Sequence, residues 1–138
     1  MENFLELLNT AFIAEYEDVF LYLRESSIFK KKIAGGEKLA EIFEDFSVME
    51  LKHADLLAMK LIKLGGRPTW QFRQIDDSAS LKDTLQRHVI SESRLYKIYT
   101  DLIDACADRN FKIVLKGIRD NEKEHLEKVT YLLKKIKF

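Results

Sequence analysis

Phe46-Ser47-Val48-Met49-Glu50-Leu51-Lys52-His53-Ala54-Asp55-Leu56-Leu57 is the stretch on which the reading of this chain turns. At helical spacing Phe46, Glu50, His53 and Leu57 fall on one face, with Glu50 and His53 one turn apart in its middle. Ile118, Glu122, His125, Val129 and Leu132 repeat the arrangement near the C-terminus. A Glu three residues before two of only three histidines arises by chance in about 3% of such sequences. Spacing alone is therefore thin support, and the setting has to carry the rest.

The setting is helical throughout. Apolar residues recur at helical spacing from about 3–32, 37–64, 80–108 and 110–137, and strand alternation is absent. Lys30-Lys31-Lys32 and Gly35-Gly36 end the first segment, Gly65-Gly66-Arg67-Pro68 the second. Ser80 or Ser78 is the expected cap of the third, and an Asp108-Arg109-Asn110 turn leads into the fourth. Short links make helices one and two antiparallel neighbours, and likewise three and four. The stretch at about 65–79 can extend some 50 Å and serve as one long crossover. The expected architecture is an all-α four-helix bundle of two antiparallel hairpins within a single domain, 1–138.

The first helix aligns Leu8, Phe12, Glu15, Val19, Tyr22, Leu23 and Phe29, so Glu15 occupies a core position. The third aligns Leu85, Val89, Glu92, Tyr96 and Tyr99 and treats Glu92 in the same way. Val114 and Ile118 lead the fourth stripe. Tyr22 and Tyr99 each lie seven residues beyond the helix's Glu, so the chain reads as a duplicated half carrying Glu…Tyr, then Glu-x-x-His. Either tyrosine can hydrogen-bond a carboxylate or simply pack. Glu17 and Asp18 are read as solvated residues off the Glu15 stripe, and His88, four residues before Glu92, as an exposed or core-edge residue or, less readily, a partner to Glu92. Trp70 and Phe72 are read as covers on the bundle, and Cys106 as a small apolar residue near a helix end.

Four ionised carboxylates cannot share a bundle core unaided, since each desolvated charge costs several kcal/mol and they repel one another. No Lys or Arg shares the stripes near them. Two divalent cations balance four carboxylates, and two neutral imidazoles complete the set, which proposes a dinuclear site. Oxygen-rich ligation with one nitrogen per metal suits iron or manganese better than structural zinc.

Lys and Arg total 23, equal to Asp and Glu at 23, so no global field points to nucleic acid or an anionic membrane. A Lys/Glu-rich, loop-poor composition leans toward helices and toward a thermophilic source. One cysteine excludes an intramolecular disulfide and a Cys-x-x-Cys knuckle. Neither a secretory signal nor a membrane-spanning run is legible, and a cytoplasmic location is the expectation.

On these residues the chain resembles the ferritin-like di-iron carboxylate proteins, in particular bacterioferritin and the helical domain of rubrerythrin. The stretches that carry the resemblance are Leu8-Asn9 leading to Glu15 and Tyr22, Glu50 through Asp55, Leu64 through Pro68, Glu92, and Glu122 with His125. A Glu from each of two helices with Glu-x-x-His from the other two is a known ligand pattern of this class. The resemblance implies that Glu50 and Glu122 bridge two iron ions, with Glu15 and Glu92 as terminal ligands and His53 and His125 on one ion each. It implies reaction with dioxygen or hydrogen peroxide, as a ferroxidase or a rubrerythrin-like peroxidase. Leu51 stands where bacterioferritin has its haem-ligating Met, so haem is not expected. Leu95 stands where rubrerythrin has an extra Glu, and no rubredoxin-type Cys cluster is present, so electrons are expected from an external donor. A homo-oligomer, a dimer or larger, is expected. A dimanganese enzyme that disproportionates peroxide, a non-catalytic iron-storage subunit and a metal-free helical protein remain open alternatives.

Overall fold

The computed structural model describes residues 2–32, 35–70 and 80–136. The chain divides into two compact units, Met1–Ile75 and Asp76–Phe138, each a pair of packed helices. The first unit holds α1 (Glu2–Lys32) and α2 (Gly36–Lys63), the second α3 (Leu81–Ala105) and α4 (Arg109–Lys135). Every described regular element is helical.

In the first unit neither Gly nor Pro interrupts α1, so the helix runs unbroken for 31 residues. Leu8, Phe12, Val19, Tyr22 and Phe29 are buried, as their spacing requires, but Leu23 is 45% exposed. It lies one residue, or about 100°, round the helix from Tyr22 and so leaves the seam. Tyr22 packs edge-on against Phe43 and Phe46 of α2, with ring centroids 5.3 Å away in each case.

Two polar locks tie α1 to its partner. Ser47 Oγ donates to the Val19 carbonyl at 2.9 Å, a buried bond that spends the hydroxyl on a helix carbonyl. Asn9 clamps the chain after α2 from both sides. Its Nδ2 donates to Thr69 Oγ1 at 2.7 Å, and its Oδ1 accepts from the Thr69 amide at 2.9 Å.

A Gly-Gly exit makes that clamp reachable. Gly65 adopts φ 83°, and its amide donates to Ile62 O while that of Gly66 donates to Leu61 O. These crossed bonds close the helix end and turn the chain back. A Cβ on Gly66 would meet Leu5 Cδ2 and Leu61 O at 3.4 Å, so the turn also lies tight against α1. Trp70 then lands edge-on over Phe12 and Tyr16, at 4.7 and 5.1 Å between ring centroids, while remaining 62% exposed. Phe72 and the remaining crossover lie outside the described residues.

In the second unit Ser80 caps α3, its Oγ accepting from the Asp83 amide at 3.1 Å. The third helix ends at Ala105 rather than near 108. Asp108 explains the difference: its Oδ1 accepts from the amides of Asn110 (3.0 Å) and Phe111 (3.2 Å). A capping residue needs extended backbone, here φ −80° and ψ 112°, so Asp108 opens α4 and cannot close α3. Cys106 is buried at the junction, and its Sγ donates to the Asp108 carbonyl at 3.3 Å, so it is not simply an apolar filler.

The core seam of α4 is Phe111, Leu115, Ile118, Glu122, His125 and Val129, with steps of four and three residues. Val114 is only half-buried, because Leu115 takes the seam position expected for it. Among the described residues no helix is long and apolar enough to cross a membrane.

Candidate metal centre

Each unit buries a triad of two carboxylates and one imidazole at mid-helix. In the first unit Glu15 comes from α1 and Glu50 and His53 from α2, with exposures of 0%, 0% and 2%. His53 Nδ1 lies 3.0 Å from Glu15 Oε2 and 3.7 Å from Glu50 Oε1. One donor atom from each of the three lies within 4.8 Å of the others. In the second unit Glu92 comes from α3 and Glu122 and His125 from α4, with exposures of 0%, 0% and 5%. His125 Nδ1 lies 3.9 Å from Glu122 Oε2, and one donor atom from each of these three is again within 4.8 Å of the others.

Mid-helix placement matters. The backbone groups nearby are consumed by the helices' own hydrogen bonds, and helix termini with their partial charges are several turns away. The side chains alone define each triad's chemistry. Two ligands about 2.1 Å from one cation lie about 3–4 Å from each other, which is the spacing seen here. Both triads turn a ring Nδ1 toward carboxylate oxygens, the atom that an imidazole with its proton on Nε2 presents to a metal. A buried donor set of two carboxylates and one imidazole fits a divalent first-row metal.

All six residues read from the sequence as candidate ligands are thus buried, three in each unit, and within each unit they converge. Tyr22 and Tyr99 are fully buried seven residues beyond Glu15 and Glu92. Tyr22 packs among the aromatic rings of α2.

Two readings need correction. Asp18 is 2% exposed, not solvated, and Glu17 is half-buried. Asp18 lies three residues after Glu15 and four before Tyr22, which places it on their seam. Glu25, three beyond Tyr22, continues the row and is 6% exposed. The signal was present in the spacing of acidic residues, and apolar periodicity passes over it. His88 is 3% exposed rather than at a surface or edge. It lies four residues before Glu92, one turn away on the same seam.

Fold and site together define a helical protein with a candidate carboxylate and histidine metal site. Comparison then gives the family: the ferritin-like domain profile matches residues 5–138, and the chain belongs to that family. Among solved structures it is similar to the crystal structure of ferritin like, diiron-carboxylate proteins from Bacillus anthracis str. Ames. That similarity has a TM-score of 0.83 and 25% identity and covers 96% of each chain. The fold is accordingly the all-α, four-helix ferritin-like bundle expected from the sequence. No curated protein sequence matches the chain significantly.

Proposed function

We propose that the two triads together hold a dinuclear iron centre that reacts with dioxygen or hydrogen peroxide, as a ferroxidase or a rubrerythrin-like peroxidase. The observation that carries this reading is the duplication: each hairpin independently buries the same Glu, Glu and His donors at mid-helix. Family membership and the di-iron carboxylate description of the similar Bacillus anthracis structure support it.

In this reading Glu50 and Glu122 would be shared by both ions, Glu15 and Glu92 would each hold one, and His53 and His125 would supply one nitrogen apiece. Bound iron would supply the redox electrons and open coordination positions for the oxidant. The protein's own contribution is electrostatic. Four carboxylates in a low-dielectric core match two divalent cations in charge, and they keep that charge confined where water cannot screen it. Leu57, Leu85, Leu102 and Leu115, all fully buried, help to make that core apolar. An external electron donor would be needed to return such a centre to its reduced state.

Anaerobic titration with ferrous iron, followed by elemental analysis, tests the reading. The expected result is about two irons per chain, reoxidised by air or peroxide with a change in near-ultraviolet absorbance, and loss of both in Glu50→Ala/Glu122→Ala. Retained stoichiometry in that variant would show the ligands to be others. Two bound irons inert to both oxidants would refute the oxidase or peroxidase reading while leaving the metal site standing.

A further inference from the structure

Trp70 is the chain's single tryptophan, and the first unit holds it in a fixed place. The left-handed Gly65 and the two bonds between Asn9 and Thr69, its immediate neighbour, set the path of the chain that carries it. The indole meets Phe12 and Tyr16 edge-on, with ring centroids 4.7 and 5.1 Å away, and those two rings stack on each other at 5.8 Å. Trp70 nevertheless stays 62% exposed, so burial alone gives little reason for so large a side chain here. Tyr16 and Trp70 both line a cavity of ≈370 Å³, with the exposed Lys52 and Asp55 beside it.

The inner end of this cluster adjoins the first triad. Tyr16 follows Glu15 directly in the chain, and Phe12 precedes Glu15 by three residues, a rise of about 4.5 Å along the helix. Tyr22, the other tyrosine of α1, is placed differently. It lies about two turns beyond Glu15, is fully buried, and packs on the phenyl rings of Phe43 and Phe46, which are far harder to oxidise than a phenol or an indole. Tyr16 instead touches an oxidisable ring that reaches water. We propose that Tyr16 and Trp70 form a relay that carries an oxidising equivalent from the first triad to the surface, where a soluble enediol reductant discharges it. The proposal rests on the metal reading above.

The electron count shows when such a relay is needed. Hydrogen peroxide takes up two electrons and two protons on its way to two waters. The chemistry a half-filled site supplies is one electron, from ferrous to ferric iron, so the second has to come from a side chain. Tyr16 gives that electron and releases its phenolic proton. Trp70 then passes an electron to the tyrosyl radical, which takes back a proton, while the exposed indole loses its N–H proton to water. An enediol in solution returns an electron to the indolyl radical, and a proton from water restores the ring. One electron from solution thus cancels each oxidising equivalent, and both rings end unchanged. Phenol and indole have similar potentials near neutral pH, so the equivalent passes between them in either direction.

The pair is tested first without metal. Azide radicals made by pulse radiolysis oxidise indole, and Trp70 is the single target of that kind. The indolyl band should decay at a rate independent of protein concentration while a tyrosyl band grows at the same rate. Tyr16→Phe should lose that growth and still form the indolyl band. Absence of transfer in the wild type, or growth undiminished in Tyr16→Phe, overturns the proposal. Protein holding one ferrous ion per chain is then given one equivalent of peroxide and freeze-quenched for electron paramagnetic resonance, with circular dichroism as the folding control. A tyrosyl signal is expected in the wild type, narrowed by ring-deuterated tyrosine, quenched by ascorbate and lost in Tyr16→Phe. Trp70→Phe should keep the signal and prolong its life in ascorbate, with iron content and helicity unchanged. Iron bound and oxidised without a radical on Tyr16, or quenching equally fast in Trp70→Phe, overturns the relay alone. A chain that takes up no iron overturns the metal reading and the relay with it.

Discussion

Glu50→Gln should change the sign of its effect on stability according to whether metal is present. Glu15 and Glu50 are fully buried and bring carboxylate oxygens within 4.8 Å of each other. Two full charges at that separation repel by about 3.5 kcal/mol at an effective dielectric constant of about 20. His53 Nδ1, 3.0 Å from Glu15 and 3.7 Å from Glu50, offsets part of this. The repulsion left in the metal-free protein is then about 1–2 kcal/mol. Glutamine keeps the shape and removes the charge. In excess chelator, E50Q should therefore melt about 4–8 °C above the wild type.

With metal the order should invert. A divalent ion at a hundred times its dissociation constant stabilises the native state by about 2.7 kcal/mol, and the variant forfeits much of that by losing an anionic ligand. Differential scanning calorimetry of both proteins, with chelator and with cobalt or ferrous iron under anaerobic conditions, reads both halves of the prediction. If E50Q melts lower than the wild type in chelator as well, Glu50 is a carboxylate fastened by structural hydrogen bonds. The charge argument for a metal at this position would then fail.

Further tests address individual residues. His53→Ala and His125→Ala should each reduce binding from about two ions per chain to about one tight ion, measured by elemental analysis after gel filtration; loss of both ions from either variant would show that neither half holds metal alone. Asp108→Ala, which leaves the amides of Asn110 and Phe111 without their cap, should cost about 1 kcal/mol in urea unfolding. The Glu44 carboxyl is held below its usual range, first by the hydrogen bond from Lys30 at 2.6 Å, then by that from Ser26. A depressed carboxyl pKa stabilises the fold above the unfolded-state value and ceases to do so as pH falls through the folded one. The melting difference between wild type and Glu44→Gln should therefore be positive near pH 7, shrink with added salt because the pair is exposed, and vanish in acid.

Much of this was legible because long helices advertise themselves. Thirty-one residues without Gly or Pro leave little choice of structure for α1, and Gly35 with its left-handed φ marks the start of α2. The six buried donors were legible because a Glu or His in the middle of an apolar stripe contradicts its neighbours, and the contradiction recurs four times. Asp18 escaped for the complementary reason. Val19, its neighbour, already supplied the apolar seam member at that turn, so Asp18 passed for the outward residue although it lies three from Glu15. The end of α3 escaped because Asp108 can be read as either a last residue or a cap, and only its two bonds to the following amides decide.

The locks at Asn9–Thr69 and Ser47–Val19 bracket Glu15, one on each side of it along α1. A helix pair held at two such stations resists axial slip, since a step of one turn, about 5.4 Å, would unseat both at once. The hairpin therefore behaves as a ruler whose two scales are pinned. If these residues bind metal as proposed, any adjustment by Glu15, Glu50 and His53 would come from rotation about their own side-chain bonds, leaving the helices in register. Lengthening α1 by one residue between Asn9 and Val19 would force a choice: keep both pins and buckle the helix, or keep the helix and swing Glu15 about 100° out of the core.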